Sequence, residues 1–252
     1  MPLRIAFDLD GVLADMDGEL LRQAEVIFGA TVTRRVEGRT SEEAAQSAPE
    51  TRDAPPDVSA DPEAIPKAAD HDASRLLLTA RQERRLWRHV VSIENFWETL
   101  KEIEPGAIAR LARLATEHRW EVIFLTKRPA SAGATAQVQS QRWLSANGFS
   151  MPSVYVVQGS RGRIAAALGL EFVVDDRPEN CLDVVVDSRA RSILVWRDDQ
   201  APPPSAAKRL GIGVVKTVDE CLSILAQLDA PAAERPNMID RVMRRLGLKE
   251  PA

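Results

Sequence analysis

The sequence predicts a doubly wound α/β domain with a mainly parallel sheet of about five strands. Short apolar runs of strand length alternate with amphipathic helical stretches over most of the chain. The runs are apolar on both faces, which is typical of central strands in a parallel sheet. The alternation breaks after the first run, which indicates an inserted, mostly helical cap at that point. Ligands of such sheets bind at the carboxyl ends of the strands, so the polar residues there are the candidates for function.

Composition narrows the class of protein further. The chain has 252 residues, 44% of them apolar and 28% charged, which is enough for one large domain with an insertion. A formal charge of −4 and the lack of a Lys/Arg block disfavour duplex nucleic acid as a partner. No apolar run approaches the roughly 18 residues of a membrane span, and the first residues lack a signal-peptide layout. We therefore expect a cytoplasmic protein with no membrane partner, and a homo-oligomer stays open.

Five strands and four helices are predicted along the core, which we assign to residues 1–14 and 105–230. The strands lie in the runs IAFDLDG, WEVIFLT, SVYVVQG, EFVVDDRPEN and SILVWRDD. Helical periodicity is found between and after them, at residues 106–118, 134–146, 161–168 and 217–228.

The predicted cap covers residues 15–104. Residues 16–28 have helical spacing, and helical spacing returns in SRLLLTARQERRLWRHVV and IENFWETL. Between these segments, residues 37–74 are rich in Ala, Pro, Glu, Asp and Ser, a composition that cannot offset the entropy of ordering. We expect that tract to be mobile. Residues 231–252 are predicted to be a linker and a short amphipathic helix.

Two pairs of acids follow predicted buried strands. Asp8 and Asp10 end the first strand, and Asp175 and Asp176 end the strand in EFVVDD. Two carboxylates about 4 Å apart repel by roughly 4 kcal/mol at an effective dielectric near 20, so folding alone gives no reason to gather them. Asp176 has a structural alternative as the N-cap of the next helix. If sheet order places the two strands side by side, four carboxylates share one crevice, and oxygen ligands of this kind suit Mg²⁺.

Hydroxyl and basic groups stand at two further strand–helix junctions. Thr126 ends the strand in WEVIFLT and is followed by Lys127, and Arg161 and Arg163 open the helix that follows GS. A hydroxyl with backbone N–H groups at such a junction can cradle a phosphate. The structural alternatives are an ordinary strand-end threonine and solvated arginines, since the helix dipole opposes positive charge at an N-terminus.

The motifs DLDGV, LT, a basic residue opening a helix, and DD, in this order, resemble the haloacid dehalogenase (HAD) superfamily of phosphotransferases from residue 3 to about 200. More narrowly, the type C 5′-nucleotidases, the 5′(3′)-deoxyribonucleotidase group, are resembled by DLDGVLAD, FWETLKEIEPGAIARLARL, TKRP, QRWLSANGF and VVDDRPEN. The resemblance implies a Rossmann-like, HAD-like core. It also implies a Mg²⁺-dependent phosphomonoesterase, a hydrolase that works through an aspartyl-phosphate intermediate on a small phosphorylated metabolite.

Carried over by motif, the resemblance implies a role for each site residue. Asp8 matches the nucleophile and Asp10 the general acid/base. The superfamily's third motif is usually lysine, for which this chain offers Arg161 or Arg163, with a slight preference for Arg161. The implied phosphate ligands are Thr126, Lys127, Arg161 and Arg163. The implied Mg²⁺ ligands are Asp8, Asp10 through its backbone carbonyl, and Asp176, with Asp175 either as a further ligand or as a support for the others.

The substrate is the least determined part of this prediction. Phe96 and Trp97 fall where the resemblance implies aromatic rings near a nucleobase, which favours a (deoxy)nucleoside monophosphate. The structural alternative for both residues is core packing. A phosphatase of another small metabolite, and a non-catalytic protein that binds phosphate ligands or partners, also remain open.

Overall fold

The computed structural model describes residues 2–29, 78–199 and 201–229. Within those residues, six strands form one sheet in the order β3-β2-β1-β4-β5-β6, and every neighbouring pair is parallel. The strands are Arg4–Asp8 (β1), Glu121–Thr126 (β2), Ser153–Val156 (β3), Phe172–Asp175 (β4), Arg191–Val195 (β5) and Gly213–Val215 (β6). The predicted fold class is confirmed, and the sheet has one strand more than the five predicted, the three-residue β6.

Helices join the strands. They are Met16–Phe28 (α1), Ala80–Ser92 (α2), Ala107–His118 (α3), Ala136–Ala146 (α4), Arg161–Leu168 (α5), Pro178–Asp187 (α6), Ser205–Arg209 (α7) and Val218–Asp229 (α8), with a 3₁₀ turn at Phe96–Glu98. No helix in the described ranges has the length and apolar character required to cross a membrane.

The order of the strands makes β1 and β4 the centre of the sheet. From β1 the chain builds outward through β2 and β3, then returns to β4 on the other side of β1 and builds outward again. This reversal between β1 and β4 is the point where open α/β sheets bind ligands. The register pairs Asp8 with Leu125 and Phe7 with Val174, so Asp8, Thr126 and Asp175 end at the same edge.

The chain divides into two compact units. One contains Met1–Met16 and Asn95–Ala252, and the other contains Asp17–Glu94. Residues 95–104, which we assigned to the cap, therefore belong to the unit that holds the sheet. The predicted mobile tract at 37–74 and the predicted terminal helix in 231–252 lie outside the described residues.

In the smaller unit, helix α2 begins at a capping box. The side chain of Thr79 accepts the N–H of Gln82, and the side chain of Gln82 in turn accepts the N–H of Thr79. Along α2, Leu86, Trp87 and Val90 are buried at helical spacing. The amphipathic pattern read from the sequence is thus the pattern that the helix buries.

Helices α5 and α6 pack closely because of one glycine. A Cβ placed on Gly162 would lie 2.1 Å from the carbonyl oxygen of Asp183 and 2.6 Å from the Cβ of Asp187. No side chain fits there, so the glycine permits the close approach of α5 to α6. The position of Arg161, the first residue of α5, depends on this contact.

We predict that Gly162→Ala lowers the free energy of unfolding by about 1–3 kcal/mol, because the added methyl group overpacks the contact between α5 and α6. Alanine in an open helix position would instead raise helix stability. Gly159→Ala is the matched control, since a Cβ there meets nothing within 4 Å, and we expect a change within about 0.5 kcal/mol. Urea denaturation of both variants measures the difference. Equal stabilities would contradict the proposed contact.

Candidate active site

Three carboxylates converge at the carboxyl end of the central strands. Asp8 ends β1, Asp175 ends β4, and Asp176 follows Asp175 directly. Each offers one oxygen atom, and these three oxygens lie within 4.8 Å of one another. Asp8 and Asp175 are buried and Asp176 is half-buried. The sequence predicted four acids in one crevice; the described structure brings three carboxylates together and turns the carboxylate of Asp10 to other partners.

Burial of these carboxylates makes their ionised forms costly. Burial raises the pKa of Asp8 well above its usual range, the nearby Arg161 guanidinium lowers it in part, and Asp175 and Asp176 raise it further. Burial also raises the pKa of Asp175, again opposed by Arg161. Three carboxylates packed this closely therefore require positive charge beside them.

Arg161 supplies part of that charge. Its guanidinium donates a hydrogen bond through Nη2 to Oδ1 of Asp8, and its Nε lies 3.7 Å from Oδ2 of Asp175. The side chain is only 2% exposed, and its Nε and Nη1 atoms donate no hydrogen bond to any described residue. A buried guanidinium with unused donors is suited to bind an anion.

The two arginines that open α5 lie in different surroundings. Arg161 faces the carboxylates, whereas the side chain of Arg163 is 85% exposed and its Nε lies 3.8 Å from Oδ2 of Asp187. The position of Arg163, which projects from α5 into solvent, gives no support to the prediction that it contributes to the phosphate site.

Asp175 is held by the start of helix α6. The backbone N–H of Arg177 donates to Oδ1 of Asp175 at 2.9 Å, and Nδ2 of Asn180 lies 3.0 Å from each carboxylate oxygen of Asp175. The N-cap of α6 is Arg177 and not Asp176, which corrects the structural alternative considered for Asp176. Asn180 was not predicted as a site residue.

The carboxylate of Asp10 is bound by Arg128, which sequence reasoning missed. Nε of Arg128 lies 3.0 Å from both oxygens of Asp10, and Nη2 lies 2.8 Å from Oδ1. The hydroxyl of Thr126 donates to Oδ2 of Asp10 at 3.0 Å and accepts the backbone N–H of Arg128 at 3.3 Å. Lys127, between Thr126 and Arg128, is half-buried. The available signal was the TKRP run after β2, in which either basic residue could have turned inward.

Aromatic rings hold Arg128 in place. The carbon atom of its guanidinium lies 5.1 Å from the ring centroid of Trp97 and 5.7 Å from that of Trp143. Its Nη1 donates to the hydroxyl of Ser140 at 2.9 Å. Arg128 is 1% exposed, so its charge is balanced almost entirely by Asp10 and these rings.

Phe96 and Trp97 do not form a surface for a nucleobase. Both are 0% exposed, and their rings pack edge to face at 5.0 Å. The indole N–H of Trp97 donates to the carbonyl of Pro129 at 3.0 Å. The predicted stacking role is wrong in this structure, because the core already covers both rings.

The turn after β1 places backbone against the acidic cluster. Gly11 has φ +83°, and a Cβ on it would lie 2.1 Å from Oδ2 of Asp176. The carbonyl oxygen of Asp10, which leads into Gly11, accepts no hydrogen bond from any described residue. The three converging carboxylates, with the Asp10 carbonyl in the adjoining turn, offer only oxygen atoms, the ligands that Mg²⁺ prefers.

Comparison of the sequence with models of known protein families gave no match, and comparison with curated protein sequences gave none either. Among solved structures, the chain is similar to a candidate beta-phosphoglucomutase from Thermotoga maritima, with 17% identity and a TM-score of 0.49 over 90% of this chain and 99% of that one. It is similar to a haloacid dehalogenase-like family hydrolase from Xanthomonas campestris, with 14% identity and a TM-score of 0.49 over 93% and 94%. It is also similar to a hydrolase from Pseudomonas syringae, with 15% identity and a TM-score of 0.45 over 90% and 98%. At these values, the similarities assign neither a family nor an activity to this chain.

We predict that Arg128→Met lowers the free energy of unfolding by about 3–5 kcal/mol, because it leaves the Asp10 carboxylate buried without its cation. Adding Asp10→Asn to Arg128→Met should recover part of that loss, since the unpaired charge is then removed. Arg163→Met is the matched control and should change stability by no more than about 0.5 kcal/mol. Urea denaturation of the four proteins provides the measurement; equal losses for Arg128→Met and Arg163→Met would contradict the ion pair.

Proposed function

We propose that this protein is a Mg²⁺-dependent phosphomonoesterase of the HAD type, which forms an aspartyl-phosphate on Asp8. One observation carries the proposal: Asp8 shares its crevice with two other carboxylates and with the buried Arg161, which keeps N–H donors free. The carboxylates are suited to a divalent cation, and the free donors are suited to phosphoryl oxygens.

The cation site would use the carboxylates of Asp8, Asp175 and Asp176 together with the backbone carbonyl of Asp10. When bound, Mg²⁺ would shield the charge of the phosphoryl group and of the nucleophile, so that two anions can approach. Asn180 and the N–H of Arg177 hold Asp175 in the orientation seen here. Such supporting contacts set how well carboxylates bind a metal.

The proposed reaction gives a step to each of these side chains. An oxygen of Asp8 attacks phosphorus, the bond from phosphorus to the leaving oxygen breaks, and the phosphoryl group is held by the free donors of Arg161. For this step Asp10 must first carry a proton, so that its ion pair with Arg128 is loosened; it gives that proton to the leaving oxygen and regains one from the water that hydrolyses the aspartyl-phosphate. Arg128 and Thr126 hold the Asp10 side chain between these steps.

The narrower hypothesis of a 5′-nucleotidase acting on (deoxy)nucleoside monophosphates rests on sequence resemblance alone. The buried rings of Phe96 and Trp97 give it no support. A panel of nucleoside monophosphates and sugar phosphates, assayed with Mg²⁺ or with a chelator, identifies the substrate class.

We predict that the purified protein releases phosphate from p-nitrophenyl phosphate with Mg²⁺, and that EDTA abolishes the release. Asp8→Asn should reduce kcat by about 10³-fold or more, because the covalent step loses its nucleophile. The exposed Glu117 on α3 provides the control, and Glu117→Gln should retain the wild-type rate. A wild-type protein that binds phosphate with Mg²⁺ but hydrolyses no p-nitrophenyl phosphate would instead favour the non-catalytic alternative.

We predict that Asp10→Asn separates binding from turnover. The amide cannot transfer a proton, so kcat should fall by about 10²–10⁴-fold. Binding of Mg²⁺ with a metallofluoride mimic of phosphate should persist, because the Asp10 carbonyl is unchanged, and calorimetry measures it. Unchanged turnover in this variant would remove Asp10 from the mechanism.

A further inference from the structure

In the turn after β1, all but one of the backbone carbonyl groups of residues 9–14 accept a hydrogen bond from the described chain. The Leu9 carbonyl accepts the N–H groups of Leu13 and Ala14, and the carbonyls of Leu13 and Ala14 also accept backbone N–H groups. The carbonyls of Gly11 and Val12, which lie between these, accept hydrogen bonds from the Arg197 side chain at 2.6 Å and 3.0 Å. From residue 9 to residue 14, only the Asp10 carbonyl accepts nothing from the described chain.

The direction of that free carbonyl is fixed by its own peptide group. The Asp10 carbonyl and the Gly11 N–H belong to one planar trans peptide, so they point in opposite directions. The Gly11 N–H donates to the carbonyl of Ala14 at 3.0 Å. The Asp10 oxygen therefore points away from the inside of the turn, and the adjoining Gly11 lies against the carboxylate of Asp176.

Arg197, which holds the Gly11 and Val12 carbonyls, belongs to a distant part of the chain. It lies just after β5 and is half-buried, and its Nη2 also donates to Oε1 of Glu104 at 2.7 Å. Glu104 in turn accepts the first N–H groups of α8, from Val218 at 2.8 Å and Asp219 at 3.1 Å. The Arg197 guanidinium is thus bonded to Glu104, which caps the start of α8, and also to two carbonyls of the turn after β1.

We propose that Arg197 is a positioning residue for the cation site: by holding the carbonyls of Gly11 and Val12, it keeps the Asp10 carbonyl and the Asp176 carboxylate presented together. This inference rests on the proposed function, because it takes Mg²⁺ as the ligand of these oxygens. Without Arg197, two carbonyls of the turn lose their donors, and the turn can rotate its peptide groups to satisfy them.

The test is Mg²⁺ binding by calorimetry on the full-length protein, without substrate. Arg197→Met should weaken Mg²⁺ binding about 10–100-fold, the range typical when a residue that orients metal ligands is lost. Arg197→Lys keeps the charge but not the planar fork, so it should recover only part of the affinity. Arg142→Met removes an arginine whose exposed ion pair joins Glu98, and it should leave the affinity within about twofold.

Glu104→Gln separates positioning from stability. It removes the ion pair and weakens the α8 cap but leaves the bonds from Arg197 to the turn available, so it should lower the melting temperature while Mg²⁺ affinity falls less than in Arg197→Met. If Arg197→Met binds Mg²⁺ like the wild type, or if affinity merely follows melting temperature across Arg197→Met, Arg197→Lys and Glu104→Gln, the inference is overturned. A wild-type protein that binds no Mg²⁺ would overturn the proposed function as well, and this outcome is distinguished by the wild-type titration alone.

Discussion

The concentration of negative charge at the carboxyl end of β1 is the constraint on which the site depends. Asp8, Asp10, Asp175 and Asp176 are all buried or half-buried there, and no fold gains stability from gathering uncompensated carboxylates. Two buried arginines compensate this charge, and each of them forms ion pairs with different acids. Arg128 pairs with Asp10 alone, and all three of its guanidinium nitrogen atoms donate hydrogen bonds to Asp10 or Ser140. Arg161 takes Asp8 and approaches Asp175, yet keeps two nitrogen atoms unused. This asymmetry is the reason why we propose a ligand-binding role for Arg161 and only a positioning role for Arg128.

Sheet topology explains why these groups meet at all. A parallel sheet sends every strand's carboxyl end to the same edge, and the return of the chain to β4 places its terminal acid beside that of β1. The helices complete the arrangement, because Gly162 lets α5 close on α6 and so brings its first residue to the edge. The dipole at a helix start opposes a cation, so the burial of Arg161 there is sustained by the two carboxylates and not by the helix.

The strands and the acids at their ends could be predicted from the sequence, whereas the arginines that pair with those acids could not. Runs apolar on both faces have few explanations other than central strands, and an acid pair at the end of such a run has none in packing. The partners depend on long-range packing. Residues 161 and 163 lie about 200° apart around a helix, so only one can face the sheet, and the packing of α5 decides which. The inward turn of Arg128 depends on Trp97 and Trp143, which come from segments far apart in sequence. The three-residue β6 is too short for its own pattern.

An arginine at the position of Arg161 has a consequence that a lysine would not. A lysine ammonium is a compact charge with three N–H donors, so contacts with two carboxylates would leave one donor for a further anion. The guanidinium spreads its charge over three nitrogen atoms in a plane, so one edge can bond to Asp8 while the remaining donors stay available. Under the proposed function, the same group would lower the repulsion among the carboxylates before a phosphate arrives and bind the phosphate afterwards. Where the superfamily that the motifs resemble usually has lysine, an arginine would then give the proposed site a resident counter-charge together with a phosphate ligand.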